Sequence, residues 1–164
     1  MESQSDNCQN EFTSYKSALE KLISCILSQV LKHEDFIESI ENKIESELID
    51  WEVTTYDSRD GSIEGSVTSC NTNEPCLKIK DGDFHSLEWT IDFHITGIAK
   101  IGYLTADGEY GDNEVLCSCE GDIKITFPDD FCDYFVTYES VKEIIEEVVS
   151  NIKFQAEIHS ASFD

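Results

Sequence analysis

The stretch TADGEYGDNEVLCSC, residues 105–119, contains the side chains best suited to metal chemistry. Cys117 and Cys119 are two residues apart, so a β-strand would point both thiols to one face. Structural zinc sites pair cysteines two to four residues apart and need a second pair, which Cys70 and Cys76 would supply only at a loose spacing. Cys117 and Cys119 also lie in the apolar register of their predicted strand. We therefore predict small buried thiols and no bound metal.

Two acidic segments have the oxygen ligands that calcium prefers. They are DSRDGSIE at 57–64 and DGEYGDNE at 107–114. A calcium loop of the EF-hand type needs acids at alternate positions, a glycine at the sixth position and a glutamate at the twelfth. Neither segment has that spacing, so we predict that both are turns.

The histidines lie in no local motif of a known catalytic site. They are His33, His85, His94 and His159. The chain also lacks the phosphate-binding and dinucleotide-binding glycine motifs, the HExxH motif and paired CxxC motifs. A cysteine and a histidine that meet only in the folded protein stay possible. We predict that the protein is not an enzyme and binds no cofactor.

The net charge is the most unusual property of the chain. Thirty-five acids and eleven bases give −24, and residues 1–100 and 101–164 each contribute half of it. Such a charge favours solubility and fast association with cationic partners. It argues against direct binding of nucleic acid or of an anionic membrane, because few bases are present to neutralise phosphates.

A row of glutamates at helical spacing is the main site candidate. Its members are Glu34, Glu38, Glu41 and Glu45. Carboxylates four residues apart lie ~6 Å apart along a helix axis, so the row can resemble a phosphate backbone to a basic groove. Few lysines follow these acids four residues later, where they would form ion pairs. A second acidic row is predicted on the last helix, at Glu139, Glu143, Glu146 and Glu147. The alternative interpretation is a solvated helix face.

Apolar spacing predicts the elements that position these acids. Apolar residues three and four apart predict helices over 10–32, 34–49 and 140–152, the last capped by Ser140. Odd-numbered residues are apolar or small from 87 to 103 and again from 115 to 127, which predicts a long antiparallel hairpin.

Glycines and shorter apolar segments complete the predicted sheet. Gly97 predicts a bend or bulge, and Gly108 and Gly111 predict the chain reversal in an exposed loop over 106–113. Shorter strands, with a turn at 58–61, are predicted at 51–57, 62–70, 77–80, 134–138 and 153–163. The sequence therefore predicts one α+β domain over 1–164. A twisted antiparallel sheet of five to seven strands, mainly within 51–138, would pack against two N-terminal helices and one C-terminal helix.

The favoured functional hypothesis is a non-enzymatic acidic protein that masks the basic surface of a protein partner. Immunity proteins and phage anti-defence inhibitors combine this size and acidity, and their partners include nucleases and other nucleic-acid-binding proteins. The predicted contact residues are Glu34, Glu38, Glu41, Glu45, Asp107, Glu109, Tyr110, Asp112 and Glu114. Two alternatives stay open: a ligand-binding domain or enzyme with a pocket between sheet and helices, and a solubilising subunit of an assembly. The oligomeric state is left open.

The predicted location is the cytoplasm. The first residues lack a basic segment followed by an apolar one, as a secretory signal would have. The most apolar run, residues 22–31, is too short to cross a bilayer. Seven irregularly spaced cysteines then predict reduced thiols.

Overall fold

The computed structural model describes residues 4–57 and 61–164, which form four helices and six strands. The helices are α1 (Gln4–Val30), α2 (Glu34–Leu48), α3 (Phe131–Thr137) and α4 (Val141–Asn151). The strands are β1 (Glu52–Asp57), β2 (Gly61–Thr72), β3 (Cys76–Asp83), β4 (Glu88–Leu104), β5 (Tyr110–Thr126) and β6 (Lys153–Phe163). The predicted α+β class is confirmed. The turn predicted at 58–61 lies outside the described residues except for Gly61.

The six strands form one antiparallel sheet built on a long hairpin. Strands β4 and β5 pair over 17 residues each without a register shift. β2 pairs with the later part of β4 and β3 with its earlier part, whereas β6 pairs with β5 and β1 with β2. The β4–β5 hairpin is therefore the frame to which the other strands attach.

One face of the sheet packs against the helices and the other is open. The odd-numbered residues of β4 and β5 are buried from Trp89 to Ile101 and from Val115 to Ile125, as the alternation predicts. α2 packs against β2 and β6 through Phe36, Ile40 and Ile44. Among the described residues, no polar or charged side chain is buried in this core. The fully buried part of the sheet–helix interface described here is therefore apolar.

The helices at the two ends of the chain pack against each other. The predicted cap of α4 is confirmed, because Ser140 Oγ accepts a hydrogen bond from the Glu143 N–H and the Glu143 side chain accepts one from the Ser140 N–H. α1 packs against α4 only through its C-terminal part, where its buried residues are found. The first part of α1 extends beyond the body of the protein.

The strand predicted at 134–138 is wrong, because these residues belong mainly to α3. Phe131, Tyr134, Phe135 and Tyr138 are spaced as one helix face requires. The Phe131 ring meets the rings of Phe127 at 5.0 Å, Phe135 at 5.2 Å and Tyr134 at 6.0 Å between centroids. The aromatic contacts stabilise a helix where strand propensity alone favours an extended chain.

The bulge predicted at Gly97 is also wrong. β4 keeps its register with β5 through this position, and the register shifts fall in β2, in β3 and between β5 and β6. Gly97 serves close packing instead, because a Cβ there would overlap the Asn71 carbonyl oxygen and lie 2.8 Å from the Thr72 Cα.

Candidate functional site

Helix α2 holds the predicted glutamate row at the edge of its packed face. Glu34 and Glu38 are exposed, and Glu41 and Glu45 are half-buried. Glu45 Oε1 accepts hydrogen bonds from the Thr72 N–H at 2.8 Å and from Thr72 Oγ1 at 2.9 Å. The helix is therefore tied to the end of β2 through one of its own carboxylates.

Glu74, in the loop between β2 and β3, adds a fifth acid to this row. The loop is held by the Asn73 N–H, which donates to the Thr96 carbonyl oxygen at 2.7 Å. Partial burial raises the pKa of Glu41, and the charges of Glu45, Glu74 and Glu38 raise it further. We call the five residues the α2 acidic patch: Glu34, Glu38, Glu41, Glu45 and Glu74.

The α2 acidic patch is not neutralised by the protein itself. On α2, Lys43 Nζ pairs with Glu47 Oε1 at 2.7 Å. Across residues 4–57 and 61–164, no ion pair includes a member of the patch. The mutual repulsion of these carboxylates is therefore not offset by an ion pair within the described residues, and a cationic partner would relieve it.

Replacing Glu41 with glutamine is expected to stabilise the protein at neutral pH. A raised pKa means that the folded state holds this proton more tightly than the unfolded state does, so stability falls as pH rises from the ordinary value of 4.5 through the raised pKa. Glu41→Gln removes that loss and should raise the free energy of unfolding by about 0.5 kcal/mol or more at neutral pH. Below the ordinary pKa the gain should vanish.

Urea unfolding at neutral and acidic pH measures this effect. Glu47→Gln is the matched control on the same helix, because Glu47 has a lysine partner and gains nothing from neutralisation. A Glu41→Gln variant that is less stable than the wild type at neutral pH would contradict the repulsion within the patch.

The predicted acidic loop is shorter than expected. The tip comprises residues 105–109, closed by the Thr105 N–H donating to the Glu109 carbonyl oxygen at 2.8 Å. Gly108, at φ +81°, permits the reversal as predicted. The prediction for Gly111 is wrong, because this residue lies in β5 and makes room for the ring of Tyr103.

Only part of the predicted loop site is at the tip. Asp107 and Glu109 are exposed there, whereas Tyr110, Asp112 and Glu114 lie on β5 because strand pairing continues as far as Leu104 and Tyr110. Glu114 pairs with Lys100 at 3.8 Å, and Tyr110 is 71% exposed beside Gly102.

The two predicted acidic groups do not form one surface. Glu45 is bound at Thr72, which lies opposite Gly97, and the hairpin tip begins after Leu104. Seven residues of extended β4 separate these positions by roughly 24 Å. The patch also lies on the helical face, whereas Glu114 points to the open face with Lys100. A single compact site on a partner would therefore contact either the acids of α2 or the acids of the hairpin, but not both.

The open face of the sheet contains a charged cluster that the sequence did not predict. Lys80 Nζ lies 3.3 Å from Asp122 and 3.7 Å from Asp92, and His159 Nε2 lies 3.6 Å from Asp122. The hydrogen bond to Asp122 and the two carboxylate charges raise the pKa of Lys80. Half of the ten lysines lie on this face: Lys78, Lys80, Lys100, Lys124 and Lys153.

The histidine contacts form no serine–histidine–carboxylate triad among the described side chains. His94 Nε2 lies 3.0 Å from Ser118 Oγ, whereas His159 contacts Asp122. In such a triad one imidazole lies between the hydroxyl and the carboxylate, and here the two contacts use different histidines.

Three thiols meet on the helical face of the sheet. Cys70 Sγ lies 3.6 Å from Cys117 Sγ, and Cys117 and Cys119 are buried as predicted. Burial, followed by the neighbouring Cys117, raises the pKa of Cys70 to about 12, and burial raises that of Cys119 to about 12. Because the thiolate is the reactive form, both are poor nucleophiles at neutral pH.

Comparisons with known proteins assign this chain to no group. No family model, curated protein or solved structure matches it. Within the described residues, no three His, Cys, Asp or Glu side chains are arranged to hold a metal ion. No helix in the same part of the chain combines the length and apolarity needed to cross a membrane.

Proposed function

We propose that the protein binds a basic protein and covers its cationic surface with the α2 acidic patch. The observation that carries this proposal is Glu41, a half-buried carboxylate surrounded by Glu38, Glu45 and Glu74 and given no cationic partner within the described chain. Repulsion of this kind lowers stability, and a cationic side chain of a partner would attract these carboxylates and offset it.

The patch also has the rigidity that a binding surface needs. The hydrogen bonds of Glu45 to Thr72 fix α2 to the sheet, and Asn73 fixes the loop that carries Glu74. Acids on a backbone that is already fixed lose less conformational entropy on binding than acids on a mobile segment. A partner that normally holds a phosphate backbone has cations at a similar spacing, so the proposed class of partner is a nuclease or another nucleic-acid-binding protein.

The hairpin tip is a separate and weaker candidate. Asp107 and Glu109 protrude there beside exposed Tyr110, but Glu114 already pairs with Lys100. We propose that the patch carries the main contact and that the tip at most extends it in a large complex.

Charge reversal with a matched control tests the proposal. The test variant is Glu38→Lys, Glu41→Lys and Glu74→Lys, which spares the Glu45 anchor. The control is Glu64→Lys, Glu88→Lys and Glu157→Lys, three exposed acids of the sheet. Both variants have the same net charge, so a difference between them reports the position of the charge.

The partner is isolated from the native host on immobilised wild-type protein at about 0.05 M salt, released at about 0.5 M and identified by mass spectrometry. The purified partner is then titrated with both variants. We expect the patch variant to weaken its binding at least ~100-fold and to reduce its salt dependence, and the control to change affinity less than ~5-fold. Equal effects of the two variants would indicate that the acidity serves only solubility.

A further inference from the structure

The N-terminal part of α1 is an isolated helical arm. All described side chains from 7 to 19 are exposed, and the first buried residue of the helix is Ile23. The 16 residues from 4 to 19 span ~24 Å. An isolated helix of this length is marginal in water, so a partner along it would stabilise it.

The arm has an apolar stripe with heptad spacing. Phe12, Tyr15 and Leu19 are 63%, 73% and 39% exposed, and they continue through Leu22 to buried Ile26. The alternating spacing of three and four residues is that of positions a and d in a coiled coil. Phe12 and Leu19 take position a, and Tyr15 and Leu22 take position d, whereas Ile26 is covered by the protomer's own core, which ends the free stripe.

The charges on α1 favour a second copy of the chain as the occupant. The helix has three acids and two lysines, so its net charge is −1 while the whole chain is at −24. It is therefore a surface on which two copies meet with little local repulsion. A basic partner would find little to attract it there.

The flanking residues also specify how two copies would align. Glu11 takes position g and Lys16 takes position e, five residues later, which is the spacing of salt bridges between parallel coiled-coil helices. Antiparallel alignment through Phe12 and Tyr15 would place Lys16 opposite Gln9, and a shift by one heptad would place it opposite Lys16 of the other copy. Only the parallel alignment pairs Glu11 of each copy with Lys16 of the other.

We propose that the protein forms a homodimer through a parallel two-stranded coiled coil of the α1 arm, residues 8–22. The two highly acidic bodies then lie side by side at the same end of the coil. Their repulsion opposes dimerisation and is screened by salt. Dimerisation therefore strengthens as salt rises, whereas binding of a basic partner through the α2 acidic patch weakens.

Sedimentation equilibrium at about 0.05 M and about 0.5 M salt tests the dimer. Phe12→Gln with Leu19→Gln should raise the dimer dissociation constant at least ~100-fold, because each copy loses two apolar side chains from the seam. Val136→Gln is the control, since Val136 is 91% exposed on α3. A wild-type chain that stays monomeric at both salt concentrations, or a dimer unaffected by the arm substitutions, overturns the proposal.

Charge exchange tests the parallel alignment. Glu11→Lys or Lys16→Glu alone should weaken the dimer by about threefold to tenfold, and the combination should restore it. Loss without restoration overturns the parallel alignment.

Cys8 provides a covalent test of the same alignment. Cys8 takes position d and should face its counterpart, so oxidation by copper(II) phenanthroline should remove two protons and two electrons from the two thiols and give a disulfide-linked dimer. Cys8→Ser should abolish the link and Cys25→Ser should keep it. An antiparallel coil through Phe12 and Tyr15 would separate the Cys8 residues by ~16 Å and give no link. The patch lies outside the arm, so the two proposals can fail independently.

Discussion

Replacing Phe131 with alanine is expected to lower the free energy of unfolding by about 3–5 kcal/mol. The Phe131 side chain is fully buried and its ring contacts three other aromatic rings. Removing it opens a cavity between α3 and the sheet and leaves the rings of Phe127 and Tyr134 without their shared neighbour. For a chain of this size the midpoint of thermal unfolding should fall by roughly 6–20 °C.

Calorimetry measures the change. Val136→Ala on the same helix is the control, because Val136 is 91% exposed and its truncation should change stability by less than about 0.5 kcal/mol. Similar melting temperatures for the two variants would show that α3 does not pack through Phe131.

Replacing Gly97 with alanine is expected to cost about 3 kcal/mol. The new methyl group would overlap the Asn71 carbonyl oxygen and approach the Thr72 Cα, and backbone atoms in a paired strand move less easily than the end of a side chain. The displacement would also reach the N–H and the hydroxyl of Thr72, which hold Glu45. The same variant is therefore expected to loosen the α2 acidic patch.

Gly108→Ala separates this steric effect from backbone strain. At Gly108 a Cβ meets no atom within 4 Å, but φ is +81°. That variant should lose only about 1 kcal/mol, from the left-handed backbone conformation. Chemical denaturation of both variants gives the comparison, and equal losses would contradict the close approach at Gly97.

Most of the fold could be predicted from the sequence because its periodicities are long. Alternation over residues 87–103 and again over 115–127 leaves one register that buries the apolar set. The capping box of Ser140 and Glu143 likewise predicted the residue at which α4 begins. Local patterns of this length are not overridden by tertiary contacts.

The failures have tertiary causes. Residues 134–138 are rich in aromatic and β-branched side chains, which favour a strand. The helix is stabilised by contacts outside this segment: Phe131 packs against Phe127, and Phe127 packs against Trp89 at 4.7 Å between ring centroids. Gly97 is needed for the close approach of β2, a neighbour that the local sequence does not identify.

The candidate site could be predicted only in part. The glutamate row on α2 follows from helical spacing, but Glu74 joins it through the path of a loop 29 residues beyond Glu45. The hairpin acids are distant from the α2 row both in sequence and in space. The distribution of charge in the sequence could not show that the two groups belong to different surfaces.

The placement of the charges gives the molecule an electrical polarity. Helix α2 has six acids and one lysine, whereas the open face of the sheet holds five lysines among its acids. Negative charge is therefore concentrated on the helical side of the sheet, and the protein has a dipole with its negative end there. In the field of a cationic body the dipole experiences a torque, so the molecule turns its helical side forward before any contact forms.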